Sequence, residues 1–236
     1  MVVDGYALNG SVRLHYLDSN PNGGARKTPI VFVPGMLGSA EDYLTEMETL
    51  ASRRGLAMSL RARGKSDAPK SGYSFEDHVA DIRAVVRTAN VPDFCLSAYS
   101  VGVAYAIGFG VQSPDYLRGL ILADYPARYP AFSPGWVERA QQHMDESKRH
   151  AAVGIQAEAK EKSLWELLPR IPCPVLVLRG AKQGALLSPE DAAKYERWLD
   201  HVTIQVFEDS DHEIWKPDRS RYLGALSSFL EQIDQR

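Results

Sequence analysis

A serine between two small residues is the feature of this sequence most suited to covalent chemistry. Residues 94–96 form a short apolar run, Ala98 and Gly102 flank Ser100 at two positions' distance, and an apolar stretch follows over 103–109. A strand, a tight turn and a helix in this order expose a serine hydroxyl, and small residues are needed where strand and helix approach closely. The helix N-terminus stabilises negative charge that develops beside the hydroxyl. The pattern therefore predicts a nucleophilic Ser100; the alternative is an ordinary serine at a helix start.

A nucleophilic serine needs a base, and the six histidines of the chain lie in different contexts. His212 stands in a polar loop, 208–213, between the last strand pattern and the last helical pattern. Because loops at the carboxyl edge of a parallel sheet commonly carry site residues, we predict that His212 is the base. The remaining histidines fit strand, helix or solvent-exposed positions better: His15, His78, His143, His150 and His201.

The elements that would position Ser100 and His212 alternate between short apolar runs and longer amphipathic stretches. Helix starts are indicated by Ser74, by Ser188 before a proline, and by Ser39, which is expected to cap a helix over 40–53 that Gly55 ends. This alternation predicts an α/β fold with a mostly parallel sheet and helices on both faces. The strand patterns are 12–17, 30–33, 94–96, 119–123, 175–178 and 202–207, and a C-terminal helix is expected over 217–234.

One region interrupts the alternation. Residues 125–171 contain chain for about two helices, carry no strand signal and are rich in aromatic residues. We predict that this segment is a small helical lid inserted into a core domain formed by 1–124 and 172–236. The lid aromatics are expected to bind substrate in an apolar pocket: Tyr125, Tyr129, Phe132, Trp136 and Trp165.

Several further segments make the chain resemble the α/β-hydrolase-fold superfamily over nearly its whole length. Residues 31–39 are similar to that family's strand followed by a His-Gly-x-x-Gly loop, and 60–67 resemble its Asp-x-Arg-Gly-x-Gly-x-Ser turn. Residues 171–180 resemble the entry into its seventh strand. The resemblance is to lidded esterases, lactonases and C–C hydrolases. It implies a central sheet of about eight strands and a catalytic triad in the chain order serine, acid, histidine.

The resemblance also implies an oxyanion hole formed by two backbone N–H groups. By position these belong to Met36, which follows Pro34-Gly35, and to Val101, which follows the serine. Two such donors stabilise the charge of a tetrahedral intermediate, and their side chains matter little. The alternative for Pro34-Gly35 is a simple turn after a strand.

The main departure from the family pattern concerns the acid. The family usually carries Gly-x-x-Asp after the seventh strand, whereas 180–187 contain no carboxylate and have Gln183 at that place. A second acid position in this fold is the end of the sixth strand, which Asp124 closes here. We assign Asp124 as the acid that orients His212. The alternative is that it caps the following turn, which would leave Ser100 and His212 as a dyad.

Composition excludes several other classes of function. The 236 residues carry a net charge of −3, so no basic field attracts nucleic acid. Cys95 and Cys173 are too few for a disulfide scaffold and are expected to be buried free thiols. No membrane-spanning run or signal peptide is recognisable, and we expect a cytoplasmic protein without membrane partners. No cofactor or metal is expected, because His212-Glu213 lacks the second histidine of a zinc helix.

These features predict a serine hydrolase that cleaves a small apolar carboxylic ester or lactone through an acyl-enzyme. The short lid predicts a shallow pocket. Two other classes stay open. One is a lyase or cofactor-free decarboxylase that reuses Ser100 and His212, because a fold does not determine a reaction. The other is a catalytically weak ligand-binding homologue, which the missing acid after the seventh strand keeps in view. The oligomeric state is not indicated.

Overall fold

The structure is a computed structural model that describes residues 1–20 and 27–236. The strands are β1 (Val3–Asn9), β2 (Val12–Asp18), β3 (Ile30–Val33), β4 (Gly55–Met58), β5 (Phe94–Tyr99), β6 (Leu117–Ala123), β7 (Arg128–Tyr129), β8 (Lys162–Ser163), β9 (Val175–Gly180) and β10 (Val202–Phe207). The α-helices are α1 (Leu44–Thr49), α2 (Phe75–Thr88), α3 (Gly102–Gln112), α4 (Pro134–Gln142), α5 (His150–Glu158), α6 (Pro189–Trp198) and α7 (Arg219–Asp234). Short 3₁₀ turns occur at Ala40–Tyr43, Pro114–Tyr116, Glu146–Lys148 and Trp165–Arg170.

Eight of the strands form one sheet in the order β1-β2-β4-β3-β5-β6-β9-β10. The pairs β1–β2 and β2–β4 are antiparallel. The remaining neighbours in this order, from β4 through β3, β5, β6 and β9 to β10, are parallel. The prediction of a mostly parallel sheet of about eight strands is confirmed. In register, Val33 pairs with Ala98, Ala98 with Leu122, and Leu122 with Val177. The carboxyl ends of β3, β5, β6 and β9 therefore meet at one edge of the sheet.

Apolar side chains fill both faces of this sheet because successive residues of a strand point to opposite sides. In β3, Val31 and Val33 pack with the helices α2 and α3, whereas Ile30 and Phe32 pack with α1 and α7. This continuous apolarity is typical of central parallel strands that are buried on both faces. The two cysteines are buried and unpaired, as predicted, and burial raises the pKa of both thiols.

Local signals place most helix starts correctly. The Oγ atoms of Ser74 and Ser188 accept hydrogen bonds from backbone N–H groups three residues later, as an N-cap should. The predicted helix over 40–53 extends too far: it begins as the 3₁₀ turn Ala40–Tyr43, and α1 ends at Thr49. Gly55 opens β4 instead of ending the helix, and a Cβ there would lie 3.1 Å from Met47 Cγ. The glycine thus serves the close packing of α1 against the strand.

Residues 125–171, all described by the structure, lie between β6 and β9 and add no strand to the main sheet. They contain α4 and α5, in keeping with the two helices expected. They also contain the antiparallel pair β7–β8, which the sequence did not indicate. Two-residue strands are too short to show a periodic pattern. That this segment acts as a lid stays a prediction. Within the described ranges, no helix combines the length and apolarity needed to cross a membrane.

Candidate active site

Ser100 lies on the sharp turn between β5 and α3. Its φ of +55° is in the left-handed region, which costs an L-residue roughly 1–2 kcal/mol. Its N–H donates to the carbonyl of Ala123 at 3.0 Å, which ties the turn to β6. A Cβ on Gly102 would lie 2.4 Å from the Pro34 carbonyl oxygen, so only glycine permits the loop after β3 to approach this closely. The structure therefore has the strand, turn and helix geometry that exposes a serine hydroxyl.

His212 lies in the loop between β10 and α7 and contacts the serine. Its Nε2 is 3.0 Å from Ser100 Oγ, and its Nδ1 is 2.8 Å from Asp124 Oδ2. An ionised carboxylate only accepts hydrogen bonds, so Nδ1 carries the proton and Nε2 offers a lone pair to the serine hydroxyl. The side chain is 25% exposed, which lets a substrate reach the shared face of the two residues.

Asp124 is fully buried and follows β6 directly, with a φ of +48°. Its Oδ1 accepts from the N–H of Gly180 at 3.1 Å and of Leu187 at 3.4 Å, and its Oδ2 accepts from Leu186 N–H at 2.8 Å. These amides, one at the last residue of β9 and two in the loop that follows, fix the carboxylate so that Oδ2 faces His212. The structure thus brings the three predicted triad residues together, and their catalytic roles stay a prediction.

The two predicted oxyanion donors lie beside Ser100. The Gly35 carbonyl accepts a hydrogen bond from Gly38 N–H at 3.3 Å. Because C=O and N–H point in opposite directions across a trans peptide, the Met36 N–H points away from Gly38. A Cβ on Gly35 would lie 3.1 Å from Ser100 Cβ, so this peptide lies against the turn that carries Ser100. In the described part of the chain, neither Met36 N–H nor Val101 N–H donates to another protein group. Both are free for a ligand oxygen.

A cavity of about 390 Å³ opens beside Ser100, on the side of α1 and α7. Its wall includes the buried carboxylate of Glu46, which accepts from Arg219 Nη2 at 2.7 and 2.9 Å. Aromatic rings form much of the remaining wall. Besides that ion pair, the lining consists of residues 34–38, Asp42, Tyr43, Tyr99, Ser100, Trp215 and Tyr222.

Two of these aromatic residues, Tyr99 and Trp215, pack beside His212 and were not among the predicted site residues. The Tyr99 ring stacks on the His212 ring with centroids 4.7 Å apart, and Trp215 packs edge-on against Tyr99 at 4.9 Å. Burial, and then the nearby charge of Asp124, raise the pKa of Tyr99, so its phenol stays neutral. Tyr99 directly precedes the nucleophile and Trp215 follows His212 by three positions. This adjacency to predicted site residues was the available signal.

The predicted substrate-binding aromatics of the lid lie elsewhere. Tyr129 is buried against Phe75 and Tyr105, Phe132 packs on Trp136, and Trp165 packs on Tyr195. Tyr125 is partly buried against the same core. None of the five is among the described residues that line the cavity beside Ser100. A high content of aromatic residues indicates that the rings are buried, but not which part of the molecule they pack against. The structure packs these side chains against the core, Phe132 and Trp136 in a cluster that also includes Met36. Their role in substrate binding stays a prediction.

Comparisons with known proteins agree with this architecture. A family model described as alpha/beta hydrolase fold matches residues 28–144. The AB hydrolase superfamily protein YisY of Bacillus subtilis (strain 168) is 22% identical, over 85% of this chain and 91% of its own length. The 2-(acetamidomethylene)succinate hydrolase of Mesorhizobium japonicum is 21% identical, over 88% of this chain and 86% of its own length. The solved structure of an esterase from Exiguobacterium antarcticum matches with a TM-score of 0.78 at 17% identity, over 98% of this chain and 100% of that one.

Proposed function

The chain belongs to the α/β-hydrolase-fold superfamily, and we propose that it is a serine hydrolase that cleaves a small carboxylic ester or lactone through an acyl-enzyme. The observation that supports this most directly is the continuous path of hydrogen bonds from Ser100 Oγ through His212 to Asp124, with distances of 3.0 and 2.8 Å. A protein that only binds a ligand has no need of a base held in one tautomer against a serine. The path therefore favours covalent catalysis over simple binding.

The first half-reaction forms the acyl-enzyme. Ser100 Oγ attacks the carbonyl carbon while His212 Nε2 takes the hydroxyl proton, and Asp124 stabilises the resulting imidazolium. The carbonyl oxygen becomes an oxyanion that accepts hydrogen bonds from Met36 N–H and Val101 N–H. The intermediate collapses, the bond to the alcohol oxygen breaks, and His212 returns the proton to the leaving alcohol. The acyl group then remains on Ser100.

The second half-reaction releases the acid. A water molecule attacks the acyl carbonyl while His212 Nε2 takes one of its protons, and the same two amides bind the new oxyanion. Collapse breaks the bond to Ser100 Oγ, which regains its proton from His212. All groups return to their starting protonation states, so these residues need no additional reactant besides water.

The cavity beside Ser100 supports a small substrate. Its volume of about 390 Å³ lies near the lower end of ligand-sized pockets. Tyr43, Trp215 and Tyr222 offer apolar ring surface on which an acyl or alcohol chain would pack. The Glu46–Arg219 pair contributes one polar region without net charge.

The test is turnover of p-nitrophenyl esters from acetate to octanoate. We expect a burst of nitrophenol from the unaltered protein and acetylated Ser100 in acid-quenched samples by mass spectrometry. Ser100→Ala and His212→Ala should each lower kcat by about 10⁴- to 10⁶-fold. His201→Ala, at an exposed histidine, serves as the matched control and should leave kcat unchanged. If the unaltered protein is no faster than its Ser100→Ala variant, ester hydrolysis is the wrong reaction.

A further inference from the structure

Among the described residues, Arg63 is a buried cation without a carboxylate partner. It lies in the turn after β4 and is 3% exposed, like its neighbour Arg61. Arg61 donates to the carboxylate of Asp81 at 2.7 Å, as a buried arginine is expected to do. In the part of the chain that the structure describes, no carboxylate lies within ion-pair distance of the Arg63 guanidinium. A buried charge without such a partner is costly, so its presence calls for a physical reason.

The contacts of Arg63 converge on Met36, which lies in the loop after β3, residues 34–38, called the oxyanion loop below. Its Nε donates to the Met36 carbonyl at 2.7 Å, and its Nη2 contacts Met36 Sδ at 2.9 Å. The Nη1 atom donates to the Arg61 carbonyl at 2.6 Å, which holds the guanidinium in place. Two of the three nitrogens thus end on Met36, the residue whose own N–H is a predicted oxyanion donor. The guanidinium therefore restrains both the backbone and the side chain of that donor.

The groups in direct contact with the guanidinium are neutral, and the carboxylate of nearby Asp81 is paired with Arg61. His78 Nδ1 lies 2.8 Å from the Ser74 carbonyl, which can only accept, so Nδ1 carries a proton. His78 Nε2 then presents a lone pair to Arg63 Nη1 at 3.4 Å. Burial, and then the positive charge of Arg63, lower the pKa of His78 well below its ordinary value, which keeps the ring neutral. The positive charge of Arg63 is therefore solvated by dipoles and is not cancelled.

We propose that Arg63 is a positioning residue for the oxyanion hole: it fixes the Met36 peptide toward Ser100 and keeps an uncompensated positive charge behind it. The inference rests on the proposed function, because an oxyanion forms only in acyl transfer. In a low-dielectric interior such a charge stabilises a nearby anion more than it would in water. A carboxylate partner would cancel this field, which accounts for its absence. Arg63 touches no reacting atom and acts through Met36.

The experiment compares Arg63→Met and Arg63→Lys with Arg53→Met. Arg53 serves as the control because it is also buried. Its Nη2 pairs with Asp234 Oδ2 at 3.0 Å, in a part of the molecule remote from the oxyanion loop. Two quantities are measured well below the melting temperature of each variant. One is the acylation rate constant with p-nitrophenyl acetate, together with KM. The other is amide hydrogen exchange at Gly38, whose N–H donates to the Gly35 carbonyl; this measurement requires no substrate.

Arg63→Met should lower the acylation rate constant about 10- to 100-fold, less than deletion of a donor itself, while KM changes little. Exchange at Gly38 should accelerate at least about tenfold as the loop loses its restraint. Arg63→Lys keeps the charge and should recover part of the lost rate; if Arg63→Met does not fold, the lysine variant decides by the same two readouts. Arg53→Met should lose thermal stability and keep both quantities.

The two readouts separate failure of this inference from failure of the proposed function. Unchanged exchange at Gly38 of Arg63→Met overturns the positioning role, whether or not esters are turned over. A rise in KM with an unchanged acylation rate constant overturns it as well. If the unaltered protein shows no burst while exchange in Arg63→Met accelerates, the hydrolase proposal fails and the restraint of the loop by Arg63 stands.

Discussion

The loops that follow β6 and β9 lie side by side at the edge of the sheet and serve the site in opposite ways. The first supplies a carboxylate, Asp124, which contacts His212. The second, residues 180–187, contains no carboxylate and supplies backbone N–H groups that hold Asp124. In the pattern that the sequence resembles, the acid follows the strand that is β9 here. The imidazole therefore has a fixed carboxylate at Nδ1, and the loop that lacks the acid provides the fixing.

The loop after β9 also fastens the histidine. The N–H groups of Ala181 and Lys182 donate to the Ser210 carbonyl at 3.0 and 2.9 Å. A Cβ on Gly180 would lie 2.1 Å from the Asp211 carbonyl oxygen, so the two loops touch through their backbones. The loop after β6 carries the carboxylate of Asp124, whereas the loop after β9 sets the distance between this carboxylate and His212. Three substitutions test this division.

Asp124→Asn should have the largest effect. An asparagine keeps the size of the side chain but leaves Nδ1 of His212 without its carboxylate, and loss of the correct tautomer costs about 10³- to 10⁴-fold in kcat. The measurement is kcat with p-nitrophenyl acetate. Asp191→Asn, in the first turn of α6, is the matched control and should retain activity. A loss below tenfold would assign Asp124 a structural role only.

Gly180→Ala should have the next largest effect. The added Cβ meets backbone on the His212 loop, which cannot rotate away as a side chain would. We expect kcat to fall at least about tenfold and the free energy of unfolding to fall by about 1–3 kcal/mol, measured by urea denaturation. A Cβ on Gly224 in α7 meets nothing within 4 Å, so Gly224→Ala is the control. That variant should be as stable as the parent or up to about 1 kcal/mol more stable. Unchanged kcat in Gly180→Ala would show that the contact does not set the geometry.

Gln183→Asp in the Asp124→Asn background should have the smallest effect. It restores an acid at the position where the family pattern has one. Gln183 is exposed, however, and the loop is held by amides that point at residue 124. We expect kcat to stay within about two- to threefold of the single variant, the scale of an ordinary surface substitution. Gln183→Asn in the same background is the matched control. Recovery of tenfold or more would mean that the two loops are interchangeable.

Much of the fold was predictable because its signals are local. The strand patterns over 30–33 and 202–207 coincide with β3 and β10, and Ser74 caps its helix as its spacing to Asp77 predicts. The weaker elements were missed. Three of the seven residues of β1 are exposed, which leaves it no continuous apolar run, and β4 has only four residues. Gly55 was misread because glycine serves close packing as readily as a helix end.

The candidate site divides in the same way. Ser100 and His212 stand in short contexts that predict their placement, and the end of β6 pointed to Asp124. The cavity could not be predicted, because Glu46 and Arg219 lie 173 positions apart in the chain and meet only through packing. The missing partner of Arg63 is likewise invisible in a sequence. A motif names an arginine, and only the folded surroundings show that its charge is left uncompensated.

The left-handed backbone of Ser100 sets stability against function at a single residue. Glycine adopts that conformation without the steric cost that serine bears. Among the described residues, the serine hydroxyl makes one hydrogen bond, to His212, so the folded state would lose little by its removal. The stability of the fold alone would therefore favour glycine at this turn, and the proposed nucleophilic role of the hydroxyl accounts for serine.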